Sequence, residues 1–272
     1  MNKKIGFIGG GAMGEALIAG LLSREFFAPE NILVSDVNRE QLKYLHEKYG
    51  VSIKETNDAI IKDADILLFA VKPQVVDMVF ADISEPVRQS QLVISIAAGV
   101  TLQHLSSHVP QGTPVTRVMP NAACLVGEGM SALAIGESVG QKELAIAETI
   151  LSSVGKVLVL QESMLDAVTA VSGSGPAYVY LIIEALMDAG VSVGLPREIS
   201  KELVLQTMSG SIAMVRETGK HPAQLKDMVT SPGGTTIAAL EVLEKSGLRG
   251  SFIEAVKAAW ERSKELNAPV KG

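Results

Sequence analysis

Residues 5–8 are apolar and run directly into three consecutive glycines, Gly9 to Gly11, with another at Gly14. Glycine lacks the Cβ that restricts other residues, so this run permits a turn too tight for an ordinary chain. Residues 13–23 then carry the apolar repeat of a helix. A chain that opens this way is committed to strand, tight turn and helix, and the first 160 residues repeat that alternation. Residues 31–35, 65–71, 92–96, 114–118, 129–135 and 156–160 read as further strands. Residues 38–49 and a segment after Pro73 read as helices. Strands this rich in Ile, Val and Leu on both faces suit a mostly parallel sheet covered by helices on each side.

The pattern changes near residue 162. Residues 177–189, 196–218, 222–229, 235–245 and 248–266 all carry helical periodicity, and no convincing strand remains. Pro176, Pro196 and Pro222 stand where helices should start, because proline at the first helical position gives up only an N–H without an intrahelical partner. Gly190, Gly219 and Gly247 stand where helices should stop. Residues 178–187 are apolar almost all round, and a bundle of about 110 residues has too little interior to cover every such face. Burial by a second copy of the chain is the expected answer. The predicted organisation is thus two domains, residues 1–162 and 163–272, packed without a long linker.

Composition narrows the function. The net charge is −6 and both halves are negative, which excludes a basic nucleic-acid-binding face. Charges or glycines break the apolar stretches well short of the roughly 20 residues that span a bilayer, so no membrane span is expected. Lys3 and Lys4 before an apolar run imitate a signal peptide, but Glu15 and the clustered glycines interrupt it. The single cysteine, Cys124, makes no internal disulfide, reads as a small core residue and fits a cytoplasmic location.

In this context Gly9, Gly11 and Gly14 read as a G-x-G-x-x-G fingerprint that predicts a doubly wound, Rossmann-type dinucleotide domain. Gly9 permits the turn, Gly11 lets a pyrophosphate reach the backbone, and Gly14 lets helix and strand pack closely. Ala12 and Met13 open the helix whose N-terminus faces the phosphates. Asp36 follows 22 positions after Gly14, where a carboxylate takes the ribose hydroxyls of NADH or caps the next helix. Ser35, Asn38 and Arg39 cluster at the same turn and suit the 2′-phosphate of NADPH, so both cofactors stay open. Ala70, Val71, Lys72 and Pro73 end the 65–71 strand at the edge where cofactors lie, with Lys72 directed to a ribose or to solvent. Asn121, after Met119 and Pro120, borders a nicotinamide or closes a turn.

Two segments of the helical half, residues 166–178 and 225–236, interrupt helices with small polar residues. The second delivers Ser231, Gly233, Gly234, Thr235 and Thr236 to a helix start. Free N–H groups and hydroxyls at such a start suit a carboxylate or cap the helix. His104 and His108 share a helix face four residues apart, but no carboxylate or cysteine motif lies near them in the sequence, and no metal is expected.

Residues 5–14, 70–74, 118–122, 167–178, 194–197 and above all 221–236 together give a sequence that resembles the pyrroline-5-carboxylate reductase family over nearly its whole length. The resemblance implies an N-terminal Rossmann domain followed by an all-helical dimerisation domain that interlocks with another subunit, in dimers that assemble further to a decamer. It implies reduction of 1-pyrroline-5-carboxylate to L-proline with NADPH or NADH, the last step of proline biosynthesis. It also implies that the loop of Ser231, Gly233, Gly234, Thr235 and Thr236, contributed by a neighbouring subunit, holds the substrate carboxylate. Thr169 matches the threonine beside the ring nitrogen; the bland alternative is a helix threonine bonded to a carbonyl one turn back. Two competing readings share these motifs: a reductase of the six-membered cyclic imine, and a catalytically silent dinucleotide-binding redox regulator.

Overall fold

The computed structural model describes residues 3–267. The chain divides into two compact units, Met1–Ser174 with Ala259–Gly272, and Gly175–Ala258.

The first unit holds eight strands: β1 (Ile5–Ile8), β2 (Ile32–Ser35), β3 (Ser52–Ile53), β4 (Ile66–Phe69), β5 (Leu92–Ser95), β6 (Val115–Met119), β7 (Gly129–Ile135) and β8 (Gly155–Val159). They form one sheet in the order β3-β2-β1-β4-β5-β6-β7-β8. Pairing is parallel from β3 to β6, antiparallel between β6 and β7, and parallel again between β7 and β8. Between the strands lie α1 (Ala12–Ser23), α2 (Arg39–Tyr49), α3 (Asn57–Asp63), α4 (Val76–Ala81), α5 (Leu102–Ser107) and α6 (Gln141–Ser152).

Alternate strand residues serve opposite faces of this sheet, as a period of two requires. Ile5, Phe7, Ile66 and Leu68 pack on one side with Leu17, Ile18, Leu21 and Leu45 of α1 and α2. Ile8, Leu67 and Phe69 pack on the other with Ile60, Ile61, Val76 and Leu105 of α3, α4 and α5. β1, β2, β4 and β5 are buried at every position, which is why their sequences read as continuous apolar runs.

Side-chain caps set several boundaries. Asn38 starts α2 by accepting from the N–H groups of Glu40 and Gln41 at 3.0 and 3.2 Å, so the cap is Asn38 and not Asp36. Thr56 and Thr101 cap α3 and α5 in the same way. The strand pattern of the sequence leaves β3 unmarked, because a two-residue strand has no period to read.

Beyond β8 come α7 (Leu165–Val168), a π turn over Thr169–Gly173, α8 (Gly175–Ser192), α9 (Arg197–Thr218), α10 (Pro222–Met228), α11 (Thr235–Lys245) and α12 (Leu248–Asn267). Pro222 is the first residue of α10, and His221 caps it with its ring nitrogen in a box closed by Gln224. Gly219 stops α9 in the left-handed conformation, φ 63°. Gly190 does not stop α8, which continues to Ser192 before the chain turns at Gly194, φ 98°. Gly190 has a packing role instead: a Cβ there would collide with Ser200 of α9, whose hydroxyl donates to the Met187 carbonyl at 2.8 Å.

Within Gly175–Ala258 the only buried residue is Ser200, while Leu181, Leu203, Val242 and Ile253 are each more than half exposed. One helical run, Glu162–Ser192, is long and apolar enough to cross a membrane, contrary to the sequence expectation. The glycines that interrupt its apolar pattern do not interrupt the helix, which passes them through the π turn.

One ion pair anchors the passage from sheet to helices. Arg117 of β6 is 6% exposed, and its guanidinium donates to Glu162 Oε1 at 2.9 Å. The same oxygen accepts from the Leu102 N–H at the start of α5 at 2.7 Å. Removing the carboxylate leaves a buried guanidinium unpaired, so Glu162→Ala is expected to destabilise the protein by about 3 kcal/mol. Glu162→Gln, which keeps an acceptor, should lose about half of that in urea denaturation.

Candidate active site

Strand order reverses between β1 and β4, and in such sheets a crevice opens at the carboxyl ends of the strands on either side of that switch. A cleft of about 400 Å³ lies there, lined by Gly11, Ala12 and Met13 after β1, Ala70, Val71 and Lys72 after β4, Ile96 and Ala98 after β5, and Met119 and Pro120 at the end of β6.

The glycines of the loop after β1 have different jobs. Gly9 has φ 102°, and a Cβ on it would sit 2.6 Å from the Ala70 carbonyl oxygen. A Cβ on Gly14 would sit 2.7 Å from the Gly9 carbonyl oxygen, so α1 packs on the turn at backbone distance. A Cβ on Gly11 would meet nothing within 4 Å. Gly11 is also the N-cap of α1 and offers no side-chain cap, so the first N–H groups of the helix open onto bare space. That is a cradle for an anionic group, and it fits the pyrophosphate of a dinucleotide.

Partners from the β2 end hold the loop. Asp36 accepts from the Gly10 N–H through Oδ2 at 2.7 Å and from the Asn38 N–H through Oδ1 at 2.8 Å. Gln41 donates to the Gly10 carbonyl at 2.8 Å. Glu15 of α1 accepts from Tyr44, Lys48 and Tyr49 of α2, which braces the two helices flanking the loop. Burial pushes the Glu15 carboxyl up, but the hydrogen bonds from Lys48, Tyr49 and Tyr44 outweigh it and hold the group below its ordinary value. Ser35 is buried and its hydroxyl donates to Asn57 Oδ1 at 2.8 Å, so it faces the protein. Arg39 is exposed and makes no ion pair among the described residues. Lys72 is exposed at the cleft, next to half-buried Val71 and Pro73.

Asn121 is committed on both sides of its amide. Its nitrogen donates to the carbonyl and hydroxyl of Ser172 at 3.3 and 3.4 Å, and its oxygen accepts from the Met130 N–H at 3.1 Å. It thereby clamps the π turn against the β6–β7 connection. Met119, which lines the cleft, packs with Leu165 and Val168 and approaches Gly173 so closely that a Cβ there would lie 2.6 Å from its methyl. Thr169, at the head of the turn, donates its hydroxyl to the Leu165 carbonyl at 2.8 Å. Cys124 is buried, which pushes its thiol up, and it behaves as a core residue.

In the second unit, Ser231 and Pro232 lead into Gly233, φ 66°, and the Gly234 N–H donates to the Ser231 carbonyl at 3.1 Å. Gly234 is the N-cap of α11 and no side chain caps the helix. Thr235 and Thr236 therefore begin the helix without closing it, and the loop leaves backbone N–H groups and two hydroxyls together.

The sequence reading missed Gln41, Ile96 and Ala98. The last two follow a strand whose end was visible, so the carboxyl-edge rule alone points to them. Gln41 had no signal, because its role depends on how α2 lies beside the glycine loop.

A doubly wound sheet with a glycine cradle at its switch point, joined to a helical half, defines a nicotinamide-dependent oxidoreductase. Two family models match: residues 4–99 match NADP oxidoreductase coenzyme F420-dependent, and residues 162–266 match pyrroline-5-carboxylate reductase dimerisation. A pyrroline-5-carboxylate reductase of Synechocystis sp. is 48% identical over 98% of this chain and 99% of its own. One from Methanosarcina acetivorans is 46% identical over 97% and 98%. The solved pyrroline carboxylate reductase of Plasmodium falciparum with NADP bound is 37% identical, with a TM-score of 0.88 over 98% of this chain and 99% of that one. The Coxiella burnetii reductase gives a TM-score of 0.90 at 37% identity over 99% and 100%. The chain belongs to the pyrroline-5-carboxylate reductase family.

The geometry separates two glycine substitutions. Gly11→Val has room in the free protein and should leave the melting temperature nearly unchanged while weakening dinucleotide binding more than tenfold, as read by fluorescence titration. Gly9→Ala is strained and crowded, and should destabilise the fold by about 1–3 kcal/mol.

Proposed function

We propose that this protein reduces 1-pyrroline-5-carboxylate to L-proline at the expense of NADPH or NADH, the closing step of proline biosynthesis. The observation that carries this reading is the bare Gly11 cradle with the Thr169 turn held against the wall of the same cleft by Asn121 and Met119. In functional terms residues 1–162 are the dinucleotide-binding domain and residues 163–272 the dimerisation and substrate-binding domain.

When bound, the reduced nicotinamide supplies the hydride for the C=N carbon. The protein's own task is to hold the ring and its charge. Gly11, Ala12 and Met13 receive the pyrophosphate at the α1 N-terminus, with Gly14 packing the helix on the turn, while Ala70, Val71 and Lys72, followed by Pro73, form the opposite wall. Thr169 already donates to Leu165, so its remaining lone pairs accept the N–H of the protonated imine and fix the ring's orientation. Ser231, Gly233, Gly234, Thr235 and Thr236 supply N–H groups and hydroxyls to the substrate carboxylate, and they come from a second subunit. A protonated imine is electrophilic without a further acid, so orientation supplies most of the catalysis.

NADPH is the preferred cofactor in this reading. Both Asp36 oxygens already serve backbone N–H groups, and Arg39 is exposed at the same turn, makes no ion pair among the described residues and is available to a 2′-phosphate. Asn38 is occupied as a helix cap, and Ser35 supports the turn from within. The relative from Plasmodium falciparum was solved with NADP.

A second copy covers the exposed apolar helices, in a homodimer that assembles further to a decamer. The apolar run Glu162–Ser192 is part of that interface rather than a membrane span, and the protein is cytoplasmic.

Loss of reduced-nicotinamide absorbance on adding pyrroline-5-carboxylate tests the reaction, and no oxidation of either cofactor despite binding would overturn it. Arg39→Ala should lower kcat/KM for NADPH about tenfold, equivalent to about 1.4 kcal/mol, with the NADH value nearly unchanged. Thr236→Ala should raise KM for the imine and leave that for the cofactor unaltered; equal changes in both would remove Thr236 from the carboxylate site. The melting temperature should rise with protein concentration, as mass action requires of an obligate oligomer.

A further inference from the structure

The first unit brings together three side chains that take no part in the cleft: Asp77 of α4, His104 of α5 and His108 just past its end. The sequence places no carboxylate near the two histidines, and the fold supplies one. His104 Nε2 and His108 Nε2 lie 2.5 and 3.1 Å from the same Asp77 oxygen, and 3.4 Å from each other. From this convergence we propose that Asp77, His104 and His108 form a surface binding site for a divalent transition-metal ion of the zinc type.

The three ligand atoms are close to the positions such an ion needs. Tetrahedral zinc bonded to nitrogen and oxygen at roughly 2.0–2.1 Å sets its ligand atoms roughly 3.3 Å apart. Two of the three separations, 3.1 and 3.4 Å, already meet that value, and the third needs to open by less than an ångström. The two histidines stand four residues apart, the helical spacing that puts both rings on one face.

The rings are also held. His108 stacks on Phe80 with ring centres 4.5 Å apart and planes 2° from parallel, and Phe80 stacks in turn on Phe69 of β4. The His108 side chain is only 26% exposed, so the ligand with most to lose in ordering is already fixed by the core.

Two imidazoles aimed at one carboxylate oxygen leave their nitrogens facing each other, an arrangement in which two N–H groups repel. A doubly charged ion binds the neutral tautomers through Nε2, each ring keeping its one proton on Nδ1, and so removes that conflict. Water completes the fourth position, because Asp77 and His104 are exposed. Such an ion ties α4 to α5. The chain enters α4 directly from Lys72 and Pro73, so the ion braces the wall of the cleft from outside.

Calorimetric titration of the full, untagged chain with Zn²⁺ tests the proposal, together with Co²⁺ as a spectroscopic probe. One ion per chain is expected, with visible absorption from four-coordinate Co²⁺ and a higher melting temperature in the presence of Zn²⁺. Asp77→Asn and His104→Gln should each weaken binding at least tenfold and abolish the thermal shift, while His221→Gln leaves both intact. Circular dichroism of the exposed-site variants should match the parent. Absence of stoichiometric binding, or equal affinity in the parent and both ligand variants, would overturn the proposal and leave the cluster a hydrogen-bonded surface group.

Discussion

The Ala70 carbonyl oxygen occupies the space that any side chain at residue 9 would need, and the first unit is arranged around that approach. β1 and β4 are neighbours at the point where the chain's crossovers change direction, so their ends define the crevice. Bringing those ends together and still turning into α1 requires a residue with no Cβ and a positive φ. The need for a residue without a Cβ recurs five residues later inside α1, where Gly14 meets the Gly9 carbonyl. From the other side, Asp36 and Gln41 engage the N–H and the carbonyl of Gly10. The loop is thus fixed at Gly9, Gly10 and Gly14 and bare at Gly11. A binding loop ordered before its ligand arrives carries little ordering cost at the moment of binding.

The second unit follows the opposite logic. Its helices are well formed, with α10 capped by His221 and α9 stopped by Gly219, yet they enclose almost nothing of their own. At about 25 cal/mol per Å² of apolar surface removed from water, the exposed leucines, isoleucines and valines of α8, α9, α11 and α12 are a large driving force for association. The family model that covers this half is one of dimerisation. The loop before α11 belongs to the same half, so in the proposed reading the surface that assembles the protein also delivers the carboxylate site. Folding of the helices and completion of the active site then become one event.

What the sequence made legible follows from which physical demands are local. The steric roles of Gly9 and Gly14 were visible because backbone sterics act on single positions, and β7 and α11 were visible because each has several periods of apolar repeat. Direction is not local: β7 has the alternation of a strand, and nothing in it says that it runs against β6. Gly190 misled for a related reason, since a glycine inside a helix and one at its end are told apart only by the neighbour, and that neighbour is Ser200 on α9. Asp36 and Asn38 sit two residues apart and both accept from backbone N–H groups. Only the structure shows that Asn38 caps α2 while Asp36 reaches back to Gly10. Asp77 joins two histidines 27 and 31 residues away, a distance over which no spacing rule operates.

In the proposed reading, the structural bond made by Thr169 also sets what its hydroxyl can offer a ligand. Its hydroxyl proton points to the Leu165 carbonyl, and its own carbonyl accepts from the Ser174 N–H five residues on, the bond that widens this turn into a π turn. Asn121 holds Ser172 in the middle of the same turn. With the proton so committed, the hydroxyl has only lone pairs to offer a ligand. A group restricted to accepting favours a protonated imine over the neutral one, since only the former presents an N–H. The protonated form is also the better hydride acceptor. In the proposed reading the turn thereby selects the reactive state of the substrate by binding it, and the site needs no separate acid to create it.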